Sequence, residues 1–173
     1  MISLDIAIKS KKWLLEKDIE KFINKICQKI IPLTEINKIL TKNFELELAI
    51  LLVSDRQMKK INAEFLNKNK PTNVLSFPFL DENMLRKIGL KKVIGSSNQV
   101  FLGDIVISYE TIKKESLAQK KKFCDHVTHM ILHSLLHLIG HDHEDEKMAE
   151  IMENLEIKIL KKIGIKNPYN NGK

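Results

Sequence analysis

The sequence contains few cysteines and no long apolar run. Cys27 and Cys124 lie too far apart for a Cys-x-x-Cys motif, which argues against a disulfide framework and against a thiolate zinc site. The longest uncharged stretch, residues 126–141, is too short and too rich in histidine to cross a bilayer. The first residues lack the apolar core and cleavage site of a secretory signal. We therefore expect a cytoplasmic protein with two buried free thiols and no membrane association.

Acidic residues are fewer than basic ones. The chain has 22 Asp and Glu against 29 Lys and Arg, which gives a formal net charge of +7. Lysines attract polyanions because they displace the counterions condensed on phosphates. The excess is nearly all lysine and includes a run at residues 120–122. A nucleic-acid partner and a lysine-rich background composition are both consistent with this charge.

Hydrophobic periodicity predicts four strands and four to five helices. The strands are expected at residues 2–8, 46–53, 71–78 and 100–108. Helices are expected at residues 14–31, 55–65, 108–121, 123–139 and 144–163. The prolines at both ends of the third strand favour a position at the sheet edge. Because strands and helices do not alternate strictly, we predict an α+β fold with a small mixed four-stranded sheet.

The segments between these elements are predicted as loops. Residues 32–43 are consistent with either a loop or a helical extension, and residues 80–99 with a surface loop containing one helical turn near 83–87. With 43% hydrophobic residues and 173 residues in all, the chain has the composition and length of one domain. We predict a single catalytic domain over residues 1–166 and a disordered tail over residues 167–173.

All six histidines lie between residues 126 and 143, in the fourth predicted helix and just after it. Residues four apart share one face of a helix, so His133 and His137 can direct two imidazoles at one point. Gly140 favours a left-handed helix stop, after which the chain can reverse and bring in His143. The pattern predicts a metal site at the C-terminal end of a buried helix.

Three neutral imidazoles suit one zinc ion per chain and leave its fourth tetrahedral position to water. Zinc lowers the pKa of bound water to about 7, so hydrolysis by this metal-bound water is the expected chemistry. The spacing is close to that of metzincin peptidases, but Ser134 stands where those enzymes carry the glutamate base. A zinc metallopeptidase is therefore an alternative that the spacing alone supports.

The other histidines have weaker links to this site. Histidines on an apolar helix are often satisfied core residues, which is our expectation for His126 and His129. His141 would replace His143 as a ligand only if the helix continued through Gly140, and glycine inside a helix costs about 1 kcal/mol relative to alanine.

Three stretches, in order, resemble a known family. They are Pro71-Thr-Asn-Val-Leu-Ser-Phe-Pro78, Leu102-Gly-Asp-Ile-Val-Ile-Ser108, and residues 133–143 with the acidic residues that follow. Over residues 46–160 the chain resembles the YbeY family of bacterial metal-dependent endoribonucleases. The resemblance implies an α+β hydrolase that matures the 3′ end of 16S rRNA and associates with the small ribosomal subunit. It also implies that His133, His137 and His143 hold the metal and that the substrate is single-stranded rRNA precursor rather than DNA.

The chain departs from the family pattern at Leu66, where the family commonly has an arginine implicated in activity. Leucine cannot contact a phosphate. Either Lys68 or Lys70 takes over this contact, or the activity is weakened. A lysine is not equivalent to an arginine here, because it offers a point charge in place of a bidentate fork.

Further candidate residues surround the predicted metal site. Asp142, His141 and Glu144 are the nearest acid/base candidates, and Asp142 is also placed to orient a ligand imidazole. Asn73 and Ser76 are candidates for lining an RNA groove, or they simply bound a short strand. A non-catalytic RNA-binding ribosome assembly factor is a further alternative, and a fourth protein ligand on the metal would favour it.

Overall fold

The computed structural model describes residues 1–38, 45–80, 99–143 and 145–170. The helical turn predicted near residues 83–87 and the acid/base candidate Glu144 lie outside these described residues. The strands are β1 Ile2–Ile8, β2 Glu45–Val53, β3 Val74–Pro78 and β4 Gln99–Ser108. The α-helices of the described part are α1 Ile19–Ile30, α2 Asp55–Leu66, α3 Tyr109–Ala118, α4 Phe123–Leu138 and α5 Glu146–Lys162.

The four strands form one mixed sheet in the order β1-β2-β4-β3. β2 pairs in parallel with both β1 and β4, and β3 pairs antiparallel with β4. This arrangement confirms the predicted α+β fold with a small mixed sheet. It also places β3, the strand bounded by prolines, at the edge, where a residue without an N–H group interrupts no ladder.

Helix α4 is largely buried. Five apolar residues that recur along one side of this helix are all buried: Val127, Met130, Ile131, Leu135 and Leu138. Burial of a large apolar side chain contributes about 1.5–3 kcal/mol, so this face fixes the helix firmly against the rest of the core. None of the described helices is long and apolar enough to cross a membrane.

A bulge in β4 brings the end of α4 close to the sheet edge. The pairing of β2 with β4 shifts between Glu47 and Ala49, opposite Gly103. Gly103 has φ +136°, and a Cβ at this position would lie 2.2 Å from the carbonyl oxygen of Phe77 and 3.1 Å from Leu138 Cδ2. Only glycine allows this approach without displacing the β3 backbone. The C-terminal end of α4 therefore lies directly beside β3.

Two predicted helices are shorter in the structure. The helix predicted over residues 14–31 is divided into a 3-10 helix, Lys11–Leu15, and α1, because Asp18 adopts a left-handed conformation with φ +54°. The helix predicted over residues 108–121 ends at Ala118, and Lys120 has φ +52°. The basic run at residues 120–122 therefore lies in the connection to α4.

The chain after α5 turns back onto the protein. Gly164, with φ +83°, ends the helix: its N–H group donates to Lys161, and the Ile165 N–H group donates to Leu160. This pair of bonds is the Schellman motif. The predicted disordered tail differs from the structure at residues 167–170, where Pro168 is buried and its carbonyl oxygen accepts a hydrogen bond from the Lys121 Nζ atom. The turn at Gly164 directs the chain back towards these contacts.

The two cysteines are both free, but their environments differ. Cys27 is buried, and burial raises the pKa of its thiol to about 12. Cys124 is exposed, so the prediction that it is buried is wrong. It lies in the first turn of α4, where the helix emerges at the protein surface.

Candidate metal centre and groove

Gly140 ends α4 as predicted. The N–H group of Gly140 donates to the His137 carbonyl at 3.0 Å, and that of His141 donates to Leu136 at 3.0 Å. Gly140 has φ +91°, so the same Schellman motif that ends α5 also ends α4. The chain reverses at this turn and brings His143 back beside the last turn of the helix.

The structure brings His133, His137 and His143 into one cluster. Each offers one ring nitrogen, and these three atoms lie within 4.8 Å of one another. The Nε2 atoms of His133 and His137 are 3.2 Å apart. Zinc bonds of about 2.0–2.1 Å in a tetrahedron place two ligand nitrogens roughly 3.3 Å apart. The two helical histidines therefore have the separation expected of zinc ligands, and the His143 nitrogen completes the group of three.

The surroundings of His137 favour its neutral imidazole. Burial lowers the pKa of His137, and the positive charges of His133 and His143 lower it further. A metal ligand must be deprotonated at the nitrogen that binds, so a lowered pKa suits that role. His141 also lines the groove beside the cluster but is not a member of the three-nitrogen group.

Sequence reasoning missed Glu156, which supports the cluster from behind. This carboxylate is fully buried in α5. Its Oε1 atom accepts a hydrogen bond from His133 Nδ1 at 2.8 Å, and its Oε2 atom accepts one from His129 Nε2 at 2.9 Å and another from the Tyr169 hydroxyl. Burial acts to raise the pKa of Glu156, but the hydrogen bonds from His129, His133 and Tyr169 outweigh it and lower the pKa to about 2.

A signal for Glu156 is present in the sequence. The buried positions of α5 are Met152, Glu156, Ile159 and Leu160, which recur every three or four residues. Glu156 is the acidic member of this apolar stripe. A carboxylate on the buried face of a helix requires hydrogen-bond donors, and the histidines of α4 can provide them.

His126 belongs to a separate pair, as expected for a core histidine. Its Nε2 atom lies 2.8 Å from Glu115 Oε2, and the same carboxylate accepts hydrogen bonds from Asn73 Nδ2 at 3.2 and 3.3 Å. Burial acts to raise the pKa of Glu115, but hydrogen bonds from His126 and Asn73 lower it below its usual value. This pair connects α3 and α4 to the start of β3.

A groove of about 690 Å³ opens over the histidine cluster. One wall is β3 and the residues before it, including the predicted groove residues Asn73 and Ser76, and the opposite wall is the turn after α4. Leu66 also lines the groove, whereas Lys68 and Lys70 are exposed and outside the lining. The structure therefore brings two of the four predicted substrate-binding residues to the groove.

Asp142 is the carboxylate that lines this groove among the described residues. Its Oδ1 atom accepts a hydrogen bond from the His143 backbone N–H at 2.7 Å and lies 4.0 Å from His137 Nδ1. The second distance is too long for a hydrogen bond. Ser134, by contrast, is fully buried, and its hydroxyl contacts no hydrogen-bond partner in the described part of the chain. It cannot replace the glutamate base of a peptidase.

Comparisons with known proteins agree with the features of this site. The profile of the family described as Endoribonuclease YbeY matches residues 5–164. Proteins named Endoribonuclease YbeY from Bartonella henselae and Bartonella bacilliformis are 41% and 42% identical to the chain, and each alignment covers 98% of both sequences. The solution structure of TM1509 from Thermotoga maritima has the same fold, with a TM-score of 0.55, 19% identity, and coverage of 94% of this chain and 91% of that one. The chain belongs to the YbeY family.

Proposed function

We propose that this chain is a zinc-dependent endoribonuclease that cleaves single-stranded RNA. In this proposal, residues 1–166 form one catalytic domain that acts in the cytoplasm on the 3′ end of precursor 16S rRNA, in association with the small ribosomal subunit. The observation that carries it is a three-histidine cluster that opens into a groove. The name shared by its relatives supports RNA as the substrate class.

His133, His137 and His143 would hold one zinc ion. When bound, the metal supplies Lewis-acid polarisation of a phosphoryl oxygen and activation of a nucleophile. The described residues contribute three ligands to the cluster and no fourth, which favours an open catalytic site over a closed structural one. This argues against an assembly factor whose metal is purely structural.

The groove residues would position the RNA and move protons. Asp142 and His141 both line the groove, so they are the acid/base candidates that the described residues support. Both polar side-chain atoms of Asn73 already have partners within the protein. Its Oδ1 atom accepts a hydrogen bond from the Val74 N–H group, and its Nδ2 atom donates one to Glu115. Ser76 is half-buried in the groove wall and is the better candidate for a contact to RNA.

A peptidase is less well supported by the same residues. Ser134 is buried, and Asp142 lies on the turn rather than on the helix where the peptidase glutamate stands. RNA also suits the basic composition of the chain, whose formal net charge is +7.

The direct test is cleavage of a single-stranded 16S rRNA 3′-end fragment by the zinc-loaded protein. We expect cutting by the unsubstituted chain and by His126→Ala, and none by His137→Ala. The products also identify the nucleophile, because attack by the RNA 2′-hydroxyl leaves a 2′,3′-cyclic phosphate and attack by water does not. Equal cutting by His137→Ala, or none by the unsubstituted zinc-loaded protein in the presence of small subunits, would contradict the proposal.

Leu66 provides a test of the groove as the RNA site. It lies in the groove wall, is 45% exposed and brings no charge. Leu66→Arg adds a bidentate phosphate contact beside the cluster, and we expect RNA to bind about tenfold more tightly, a gain of about 1.4 kcal/mol. Leu14→Arg, at an exposed position away from the groove, controls for the added charge. Equal gains from the two substitutions would argue against binding in the groove.

A further inference from the structure

The carboxyl end of the described chain reaches the back of the metal centre. After the glycine turn that ends α5, Tyr169 packs edge-on against the His129 ring with 5.6 Å between ring centroids. Its hydroxyl donates to Glu156 Oε2, the oxygen that also accepts from His129. The other oxygen, Oε1, accepts from His133 Nδ1. Tyr169 is thus two hydrogen bonds away from a candidate metal ligand.

The segment that carries Tyr169 is itself held in place. The Tyr169 N–H group donates to Asn167 Oδ1 at 2.9 Å, and the Lys121 Nζ atom donates to the Pro168 carbonyl. Burial raises the pKa of the Tyr169 phenol, and the adjacent Glu156 carboxylate raises it further, so the hydroxyl keeps its proton. Tyr169 is therefore a permanent donor to Glu156 at neutral pH.

Glu156 needs all of these donors. A fully buried carboxylate is costly unless its oxygens are hydrogen-bonded, and here two imidazoles and one phenol supply the bonds. With Oε2 occupied by Tyr169 and His129, the carboxylate cannot rotate, and Oε1 points to His133. Bound at Nδ1, the His133 ring directs its Nε2 atom to the cluster.

We propose that Tyr169 and Glu156 are positioning residues of the metal centre, with Tyr169 holding Glu156 and Glu156 holding the His133 imidazole. This inference rests on the proposed metal-binding role of His133. Carboxylates that orient ligand histidines commonly change metal affinity by about 10–100-fold when they are lost. Neither Tyr169 nor Glu156 lines the groove, so their effect is on the metal rather than on contacts to the substrate.

The experiment is metal binding by full-length Tyr169→Phe. The phenyl ring keeps its packing on His129 and loses only the donor. We expect zinc, titrated against a competing chelator, to bind roughly tenfold more weakly, at the low end of the range for such partners. We also expect the visible absorption bands of the Co²⁺-substituted protein to shift, because they report the geometry of the ligand set. Glu156→Gln should give larger changes of the same kind.

The chain contains a matched control, since it has one other tyrosine. Tyr109 donates to Glu16 at 2.9 Å, away from the histidine cluster. Tyr109→Phe removes an equivalent hydrogen bond and should leave both zinc affinity and the Co²⁺ spectrum unchanged. Urea unfolding of both variants measures how much of any effect is general loss of stability.

Two results would overturn the inference. One is a Tyr169→Phe protein that binds zinc as tightly as the unsubstituted chain. The other is weaker zinc binding with an unchanged Co²⁺ spectrum, which would indicate a purely structural role for Tyr169. These measurements need no RNA. A protein that binds zinc and shows the expected shifts but cuts no RNA would contradict only the proposed activity.

Discussion

The two halves of α4 use histidine–carboxylate pairs in opposite ways. In the first half, His126 and His129 bind Glu115 and Glu156 through Nε2. In the second half, His133 binds Glu156 through Nδ1. The Glu156 carboxylate therefore takes part in both kinds of pair.

The ring nitrogen that remains decides what each histidine can do. In His126 and His129 the Nδ1 atoms are buried without a partner in the described residues, and neither ring belongs to the three-histidine cluster. In His133 the Nε2 atom faces His137 across 3.2 Å, where a metal fits. A histidine–carboxylate pair is thus not in itself a sign of a metal site. The Nδ1 pairing is.

The largest expected effect comes from removing one histidine in each half. His133→Ala should abolish stoichiometric zinc binding, because it removes a ligand, and the loss should exceed the roughly 10–100-fold typical of an orienting partner. His126→Ala should keep one zinc per chain. The measurement is zinc content after dialysis, with circular dichroism to establish that both proteins are folded. Retention of zinc by His133→Ala would contradict the assignment of the metal site to the second half of α4.

A smaller effect is expected from Glu115→Gln, which removes the charge from the His126 pair. The pKa of Glu115 is lowered in the folded protein, so the stabilisation it provides is complete above the unfolded value of about 4.3 and disappears as the pH falls through the folded value. The carboxylate is partly exposed, so we expect a loss of only about 1 kcal/mol at pH 7 and a smaller loss near pH 3. Urea unfolding of metal-free protein at both pH values measures this. A deficit that is constant with pH would show that the charge does not stabilise the pair.

The smallest effect is expected from Ser134→Ala. Its hydroxyl is buried without a partner in the described residues, like the Nδ1 atoms of the first half of α4. Removing an unpaired buried polar atom should leave the free energy of unfolding unchanged or raise it by up to about 1 kcal/mol. Zinc binding and RNA cleavage should not change. A marked loss of stability in thermal unfolding would mean that the hydroxyl has a partner.

Local patterns were sufficient to predict most of the fold and the centre of the site. The alternating apolar residues of β1, the prolines around β3 and the spacing of His133 and His137 each reflect geometry within a few residues. Gly140 was recognised because a helix stop has a short-range signature. Each of these features follows from the conformational preferences of residues that are close together in the sequence.

The features that were missed depend on contacts between distant residues. Glu156 lies 23 residues after His133, and its role is visible only when α5 packs on α4. The order at residues 167–170 depends on Lys121 and Glu156, which no local pattern connects to the chain end. Asp18 adopts its left-handed conformation within a run that keeps helical periodicity, so the break before α1 was not predicted. In each case, tertiary packing outweighs the local pattern.

The three histidines of the cluster are not held equally firmly, and this difference bears on how a metal ion would enter and leave the site. His133 and His137 are fixed on a buried helix, whereas His143 is exposed and arrives on the turn after Gly140. The rigid pair would offer an ion its first two ligands, and His143 on the turn would supply the third. Loss of an ion would then begin at His143, so the ease with which this short turn opens would govern how long the site keeps its metal.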